Sequence, residues 1–150
     1  MEVGNAQGLK FAIVVSQWNA QVTGALLNGA LEGLAKHGAV EGDVEVANVP
    51  GSYELISGAD IVLRNDEFDA VICLGCVIQG ETKHFDFICD AVGHGIANVG
   101  LKYNKPVIFG VLTTDNLEQA LDRAGGKHGN KGEEAAITAI QMALLSKKYN

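Results

Sequence analysis

Apolar positions along the chain fall into short unbroken runs separated by longer stretches of helical period. Residues 10–15 (KFAIVV), 69–74 (DAVICL) and 106–112 (PVIFGVL) are continuous and rich in β-branched side chains, and Val44, Val46 and Val49 mark a fourth, partly alternating run. Runs of this length and composition predict strands, and continuous ones suit strands covered on both faces. Between them Val22, Ala25, Leu26, Gly29, Ala30, Gly33 and Leu34 recur at one-face helical spacing, a stripe of mostly small residues that predicts a helix lying close against a sheet. Leu55, Ala59, Val62 and Leu63 predict a second helix, and Ile88, Ala91, Val92, Gly95 and Val99 a third. Leu117, Ala120, Leu121 and Ala124 predict a fourth behind an Asp115-x-x-Glu118 start signal resembling a capping box. A last helix carries Ala136, Ile140, Ala143 and Leu144.

The predicted order is β-α-β-α-β-α-β-α-α. Strand–helix–strand alternation implies parallel pairing with right-handed crossovers, hence an α/β, flavodoxin-like three-layer sandwich with a central parallel sheet of four strands and helices on both faces. No linker, repeat or low-complexity stretch breaks the pattern, so residues 1–150 read as one domain. In such sheets ligands bind outside the carboxyl ends of the strands. The loops expected there are residues 16–19, 50–54, 75–84 and 113–115.

Composition narrows the partners. Hydrophobic residues make up 47% and charged residues only 19%, the latter below the roughly 25% of an ordinary domain. Apolar surface in excess of one small core suggests burial between subunits, hence an oligomer. A formal charge of −7 disfavours nucleic acid and anionic membranes as partners. With no spanning segment and no signal peptide visible, the expected location is cytoplasmic. Three cysteines imply no disulfide framework; Cys73 and Cys89 fall in strand and helix contexts suited to reduced thiols.

Four places could carry chemistry. Trp18, the single tryptophan, stands in a polar turn after the first strand, where its ring could stack on a planar heterocycle or pack on its neighbours. Glu54, at a helix start, could accept hydrogen bonds from a polyol or face the helix dipole. The loop 75–84 leads into a helix near Thr82, whose free N–H groups suit an anion, and places His84, a side chain that can exchange a proton near neutral pH, in the first turn. His37 and His94 lie in helix contexts without such neighbours and are read as structural. Residues 123–131 (RAGGKHGNK) hold three cations and no acid; Arg123 there could grip a phosphate bidentately, or Arg123 and Lys127 could offset the preceding helix terminus with Gly125 as its cap. Cys73-x-x-Cys76 has redox spacing but sits in a buried strand, and Gly93-x-Gly95 lacks the third glycine of a dinucleotide loop. Scattered histidines and unpaired cysteines offer no metal-ligand spacing, so no metal site is expected.

Together these segments resemble the lumazine synthase family over nearly the whole chain. Ser16-Gln17-Trp18-Asn19, Val49-Pro50-Gly51-Ser52-Tyr53-Glu54, the stretch 74–86, the strand 106–110 and the stretch 123–132 carry the resemblance in order and at the family's spacing. It implies condensation of 5-amino-6-(D-ribitylamino)uracil with 3,4-dihydroxy-2-butanone 4-phosphate, giving 6,7-dimethyl-8-ribityllumazine, phosphate and water, with neither cofactor nor metal. It also implies residue roles: His84 as the proton donor and Trp18 stacked on the pyrimidine. Ser52, Tyr53 and Glu54 would bind the ribityl-bearing substrate, and the backbone of Cys76, Val77 and Ile78 would face the pyrimidine. Phe109 would cover the ring from a neighbouring subunit. Glu81 and Thr82 would contact the phosphorylated ketone, Arg123 its phosphate, with Lys131 beside it.

Trp18, Gln79 and Ile56 replace the family's commoner phenylalanine, arginine and proline, and the last is expected only to change how a helix begins. The family assembles as pentamers, some forming a shell of twelve. The compact 125–132 loop resembles the shell-forming members, and association with riboflavin synthase is a further possibility the family raises. The same fold and residues would also suit a non-catalytic flavin-binding module or a silent shell protein.

Overall fold

Phe11 to Ser16 are all buried, and the computed structural model, which describes residues 2–150, builds them into the middle of a sheet. The elements are β1 (Phe11–Ser16), α1 (Ala20–Lys36), β2 (Val44–Val49), α2 (Leu55–Leu63), β3 (Ala70–Ile78), α3 (His84–Tyr103), β4 (Val107–Thr114), α4 (Leu117–Asp122), β5 (Ala124–Gly126), β6 (Gly129–Asn130) and α5 (Lys131–Lys148). Strands β1 to β4 form one parallel sheet in the order β2-β1-β3-β4. Alternate strand residues feed two cores. Phe11, Ile13, Ile72 and Leu74 pack with Leu26 of α1 and Ile140 of α5, whereas Val14, Val71 and Cys73 pack with Leu55 of α2 and Val92 and Ile96 of α3. This is the three-layer flavodoxin-like sandwich. Among the described residues no helix is long and apolar enough to cross a membrane.

Four local expectations are corrected. The small-residue stripe of α1 faces α5 as well as the sheet: a Cβ on Gly33 would come within 3.1 Å of Ala136 Cβ, and one on Gly29 would overlap the Asn130 amide. The glycines therefore let two helices approach, while Val22, Leu26 and Leu34 fill the core. The cap of α4 is Asn116, not Asp115: its side chain accepts from Gln119 N–H at 2.9 Å, and Gln119 Oε1 accepts from Asp115 N–H at 2.9 Å. That helix stops at Asp122, so Ala124 belongs to a short hairpin in which β5 pairs antiparallel with β6. Ile56 does more than start a helix, because its side chain occupies the space a Cβ on Gly95 would need, locking α2 to α3.

A polar clamp joins the same two helices on the surface. Asp60 on α2 accepts from Lys102 Nζ at 2.8 Å, Arg64 Nη2 at 2.9 Å and Tyr103 Oη at 3.1 Å. The Lys102 and Arg64 hydrogen bonds hold its carboxyl down at about 2. A depressed carboxyl pKa stabilises the fold above the ordinary value of 3.8, and that contribution is lost as pH falls through about 2. Asp60→Asn should therefore melt below the parent at pH 5 or 6, with the gap closing by about pH 2. A gap of undiminished size at pH 2 in parallel melting curves would count against this clamp.

Candidate active site

The site is built where β3 outruns its neighbour. Pairing of β3 with β1 ends at Leu74, while pairing with β4 continues to Ile78. The turns leaving β1 and β2 close over the exposed end of β3. They are stitched together by Gln17 N–H to Val49 O at 2.8 Å and Trp18 N–H to Pro50 O at 2.9 Å. Asn19 takes a left-handed conformation, φ 64°, which turns the chain into α1. Its Nδ2 donates to Cys76 O at 3.2 Å.

Ser52 occupies the next gap. Its hydroxyl donates to Cys76 O at 3.3 Å and accepts from Cys76 N–H at 3.2 Å, replacing the missing ladder partner. Gly75 is needed for this fit, because a Cβ there would come within 2.7 Å of Ser52 Oγ. Both backbone groups of Cys76 are thus engaged inside the protein. Backbone direction alternates along a strand, and Gln79 N–H donates toward β4, to Thr114 O at 2.8 Å. Ile78 consequently presents its N–H and C=O to the same side as Cys76, beyond the reach of Ser52 and Asn19. It is the peptide edge left for a ligand.

This edge opens on a cavity of about 290 Å³ lined also by Trp18, Asn19, Tyr53, Glu54 and His84. Trp18 is 72% exposed, its indole standing at the mouth with little packed around it. The Glu54 carboxylate folds back toward Gly51, where a Cβ would lie 3.1 Å from Oε1. His84 is the first residue of α3, and its N–H donates to Thr82 Oγ1 at 3.3 Å. Burial pushes the Cys76 thiol up to about 11 and Cys73 up to about 12, so both are protonated hydrophobes without thiolate reactivity. One wall thus offers an aromatic face, a carboxylate, an open peptide edge and an imidazole.

A second cavity, of about 400 Å³, lies at the end of β4 and is lined by Thr113, Thr114, Arg123, His128, Lys131 and Glu134 with two apolar neighbours. Arg123 Nη1 donates to Gln119 O in the last turn of α4 at 3.0 Å, so Arg123 does serve the helix terminus, but the cap is Arg123 itself and Gly125 lies in β5. That bond also fixes the guanidinium, leaving its other nitrogens for a ligand. The β5–β6 hairpin is folded onto α4 by His128 N–H to Asp122 O at 2.6 Å and Lys131 N–H to Arg123 O at 2.8 Å. Gly125 and Gly129 supply the positive φ angles its turns require, 100° and 81°.

Trp18, Ser52, Tyr53, Glu54, Cys76, Val77, Ile78 and His84 therefore share one cavity, and Arg123 and Lys131 share the other. Glu81 and Thr82 line neither, nor does Phe109, which is 38% exposed on the edge strand β4. Sequence reasoning missed Asn19, whose asparagine directly after Trp18 was the available sign of a left-handed turn. It also missed Glu134 and His128; the latter lay in plain view within the cationic segment.

Residues 8–147 match the family described as 6,7-dimethyl-8-ribityllumazine synthase. The curated protein of that name from Cytophaga hutchinsonii is 61% identical over 141 residues, covering 94% of this chain and 89% of its own. Its counterpart from Bacteroides fragilis is 55% identical, covering 89% of this chain and 94% of its own, and that from Flavobacterium johnsoniae is 52% identical over 95% and 75%. With likeness of this degree running through both cavities and nearly all of the fold around them, the chain belongs to the 6,7-dimethyl-8-ribityllumazine synthase family.

Proposed function

We propose that the chain catalyses the condensation of 5-amino-6-(D-ribitylamino)uracil with 3,4-dihydroxy-2-butanone 4-phosphate to 6,7-dimethyl-8-ribityllumazine, in riboflavin biosynthesis. The observation that carries this reading is the gathering of Trp18, Glu54, His84 and the open backbone of Ile78 around one cavity in a chain of this family. The pyrimidine stacks on Trp18 and meets the open backbone of Ile78, with Val77 beside it in the cavity wall. Ribityl hydroxyls reach Glu54, beside Ser52 and Tyr53.

The phosphorylated ketone needs a cationic site as well, and Arg123 and Lys131 supply one in the second cavity. Each subunit thus carries two half-sites, and we place the first cavity of one copy against the second cavity of its neighbour. Phe109 closes over the ring from that neighbour, and Glu81 and Thr82, exposed at the rim, contact the phosphorylated ketone. A homo-oligomer also gives the exposed Phe87, Leu101, Leu145 and Tyr149 somewhere to be buried. We read that oligomer as a pentamer, with twelve pentamers in a shell.

The reaction requires proton transfers and the departure of one anion. The primary amine adds to the ketone carbonyl and water leaves, giving an imine. Loss of the C3 proton and of phosphate from C4 then leaves an enol, which tautomerises to a new C3 ketone bearing a methyl group; attack of the second amine on that carbonyl closes the ring with loss of water. His84 relays the protons, and the cationic cavity takes the phosphate charge. The substrates are reactive, so holding them in register contributes much of the acceleration.

His84→Ala should accordingly slow turnover by about 100-fold without abolishing it. Initial rates at saturating substrates check this, and complete loss of turnover in a folded variant contradicts it. The function itself is tested by mixing purified protein with both substrates and following the fluorescent lumazine above the uncatalysed rate. No excess over background defeats the assignment.

A further inference from the structure

We infer that His128 is a third ligand of the substrate phosphate, and that it sets how strongly the cationic cavity prefers a dianionic phosphate ester. The inference rests on the proposed condensation only for the identity of the phosphorylated ligand. Arg123 and Lys131 bring two positive charges to this cavity, and Glu134 returns one negative. An alkyl phosphate carries roughly −1.5 to −2 at neutral pH, so those three groups leave it short of balance. Of the remaining polar lining, Thr114 donates its hydroxyl to Asn116 O and Thr113 offers a neutral hydroxyl, so the side chain left that can bring a further positive charge is the imidazole of His128.

Its placement suits that task. The backbone of His128 is held to the end of α4 at Asp122 O, one residue before Arg123, and Lys131 is held to Arg123 O. The hairpin cannot loosen outward without breaking both bonds. It is also fitted tightly: a Cβ on Gly126 would lie 2.7 Å from Leu121 O. Arg123, His128 and Lys131 are therefore fixed by one compact piece of backbone around the same 400 Å³ space, with Thr113 of β4 opposite. The His128 ring makes no hydrogen bond among the described residues, so its donor capacity is uncommitted. Preorganised donors of this kind bind an anion without first breaking bonds inside the protein.

His128 is exposed and joined to the fold by its backbone, so side-chain substitution should leave folding intact. The test titrates the full-length protein with inorganic phosphate by calorimetry and, separately, measures KM for each substrate. His128→Ala should raise the phosphate Kd and the ketone KM about 5- to 10-fold while leaving the pyrimidine KM within about twofold. His128→Asn, which keeps a neutral donor, should fall between, and His128→Lys should lie close to the parent. Unchanged phosphate Kd and ketone KM in His128→Ala overturn the inference, as does the absence of phosphate binding by the unsubstituted protein. Phosphate titration needs no turnover, so failure to form the lumazine would defeat the proposed reaction and leave this result readable.

Discussion

Replacing Gly132 by alanine should destabilise the protein by about 3 kcal/mol or more, a fall in Tm of about 6–12 °C for a chain of this size. Gly132 sits in the first turn of α5, and a Cβ there would overlap the backbone carbonyl of Leu26 on α1. A carbonyl inside a helix cannot swing aside as a flexible side chain can, so the two helices must separate. Separation also strains the joint beside it, where Asn130 Oδ1 accepts from Gly132 N–H at 2.8 Å and its Nδ2 donates to Ala25 O at 3.1 Å. The control is Gly24→Ala on α1, where a Cβ meets nothing within 4 Å and the helix gains from a better helix former. Thermal melting should move the two variants in opposite directions. A Gly132→Ala protein as stable as its parent would mean that the helices do not meet backbone to backbone.

Arg123→Ala should leave a folded protein in which kcat/KM for the phosphorylated ketone falls about 100-fold, while the pyrimidine KM moves less than about threefold. The loss corresponds to about 2.7 kcal/mol, as expected for a charge-assisted pair withdrawn from a phosphate. The change should appear mainly in the ketone KM, because the phosphate is bound both before and during its departure. Stability should fall by only about 1 kcal/mol, since the last turn of α4 loses one donor at Gln119 O. Arg123→Lys should recover part of the activity, a point charge replacing a planar fork. Equal losses for both substrates in steady-state kinetics would place Arg123 outside the phosphate contact.

Much of this was legible in the chain because buried strands and helix stripes are written in local spacing. The runs at β1, β3 and β4 and the faces of α1 and α3 needed nothing beyond periodicity. What periodicity lacks is the partner. The glycines of α1 announce a close approach, but that Asn130 at the end of β6 and Ala136 of α5 make it is a three-dimensional fact. The β5–β6 hairpin escaped notice because Ala124–Gly126 and Gly129–Asn130 are too short and glycine-rich to alternate. The one-residue error at α4 has a chemical cause: Asp115 and Asn116 are both good caps, and only the geometry chooses Asn116. At the site, topology gathered the strand-end residues correctly, since every loop leaving a parallel strand emerges at the same end. That Arg123 and His84 occupy separate cavities of one subunit could not be read from spacing.

The overhang of β3 bears on how the site tolerates genetic change. On the proposed reading, the heterocycle is recognised partly by the main-chain groups of residue 78, and a missense mutation cannot delete a peptide bond. Side chains there are free to drift in size so long as the strand keeps its path. The vulnerable positions are instead those that hold the path: Gly75, Ser52 and Asn19, none of which need touch the ring. Random mutagenesis scored by riboflavin auxotrophy should find its inactivating substitutions crowded at these supports, with the recognition edge itself unusually silent.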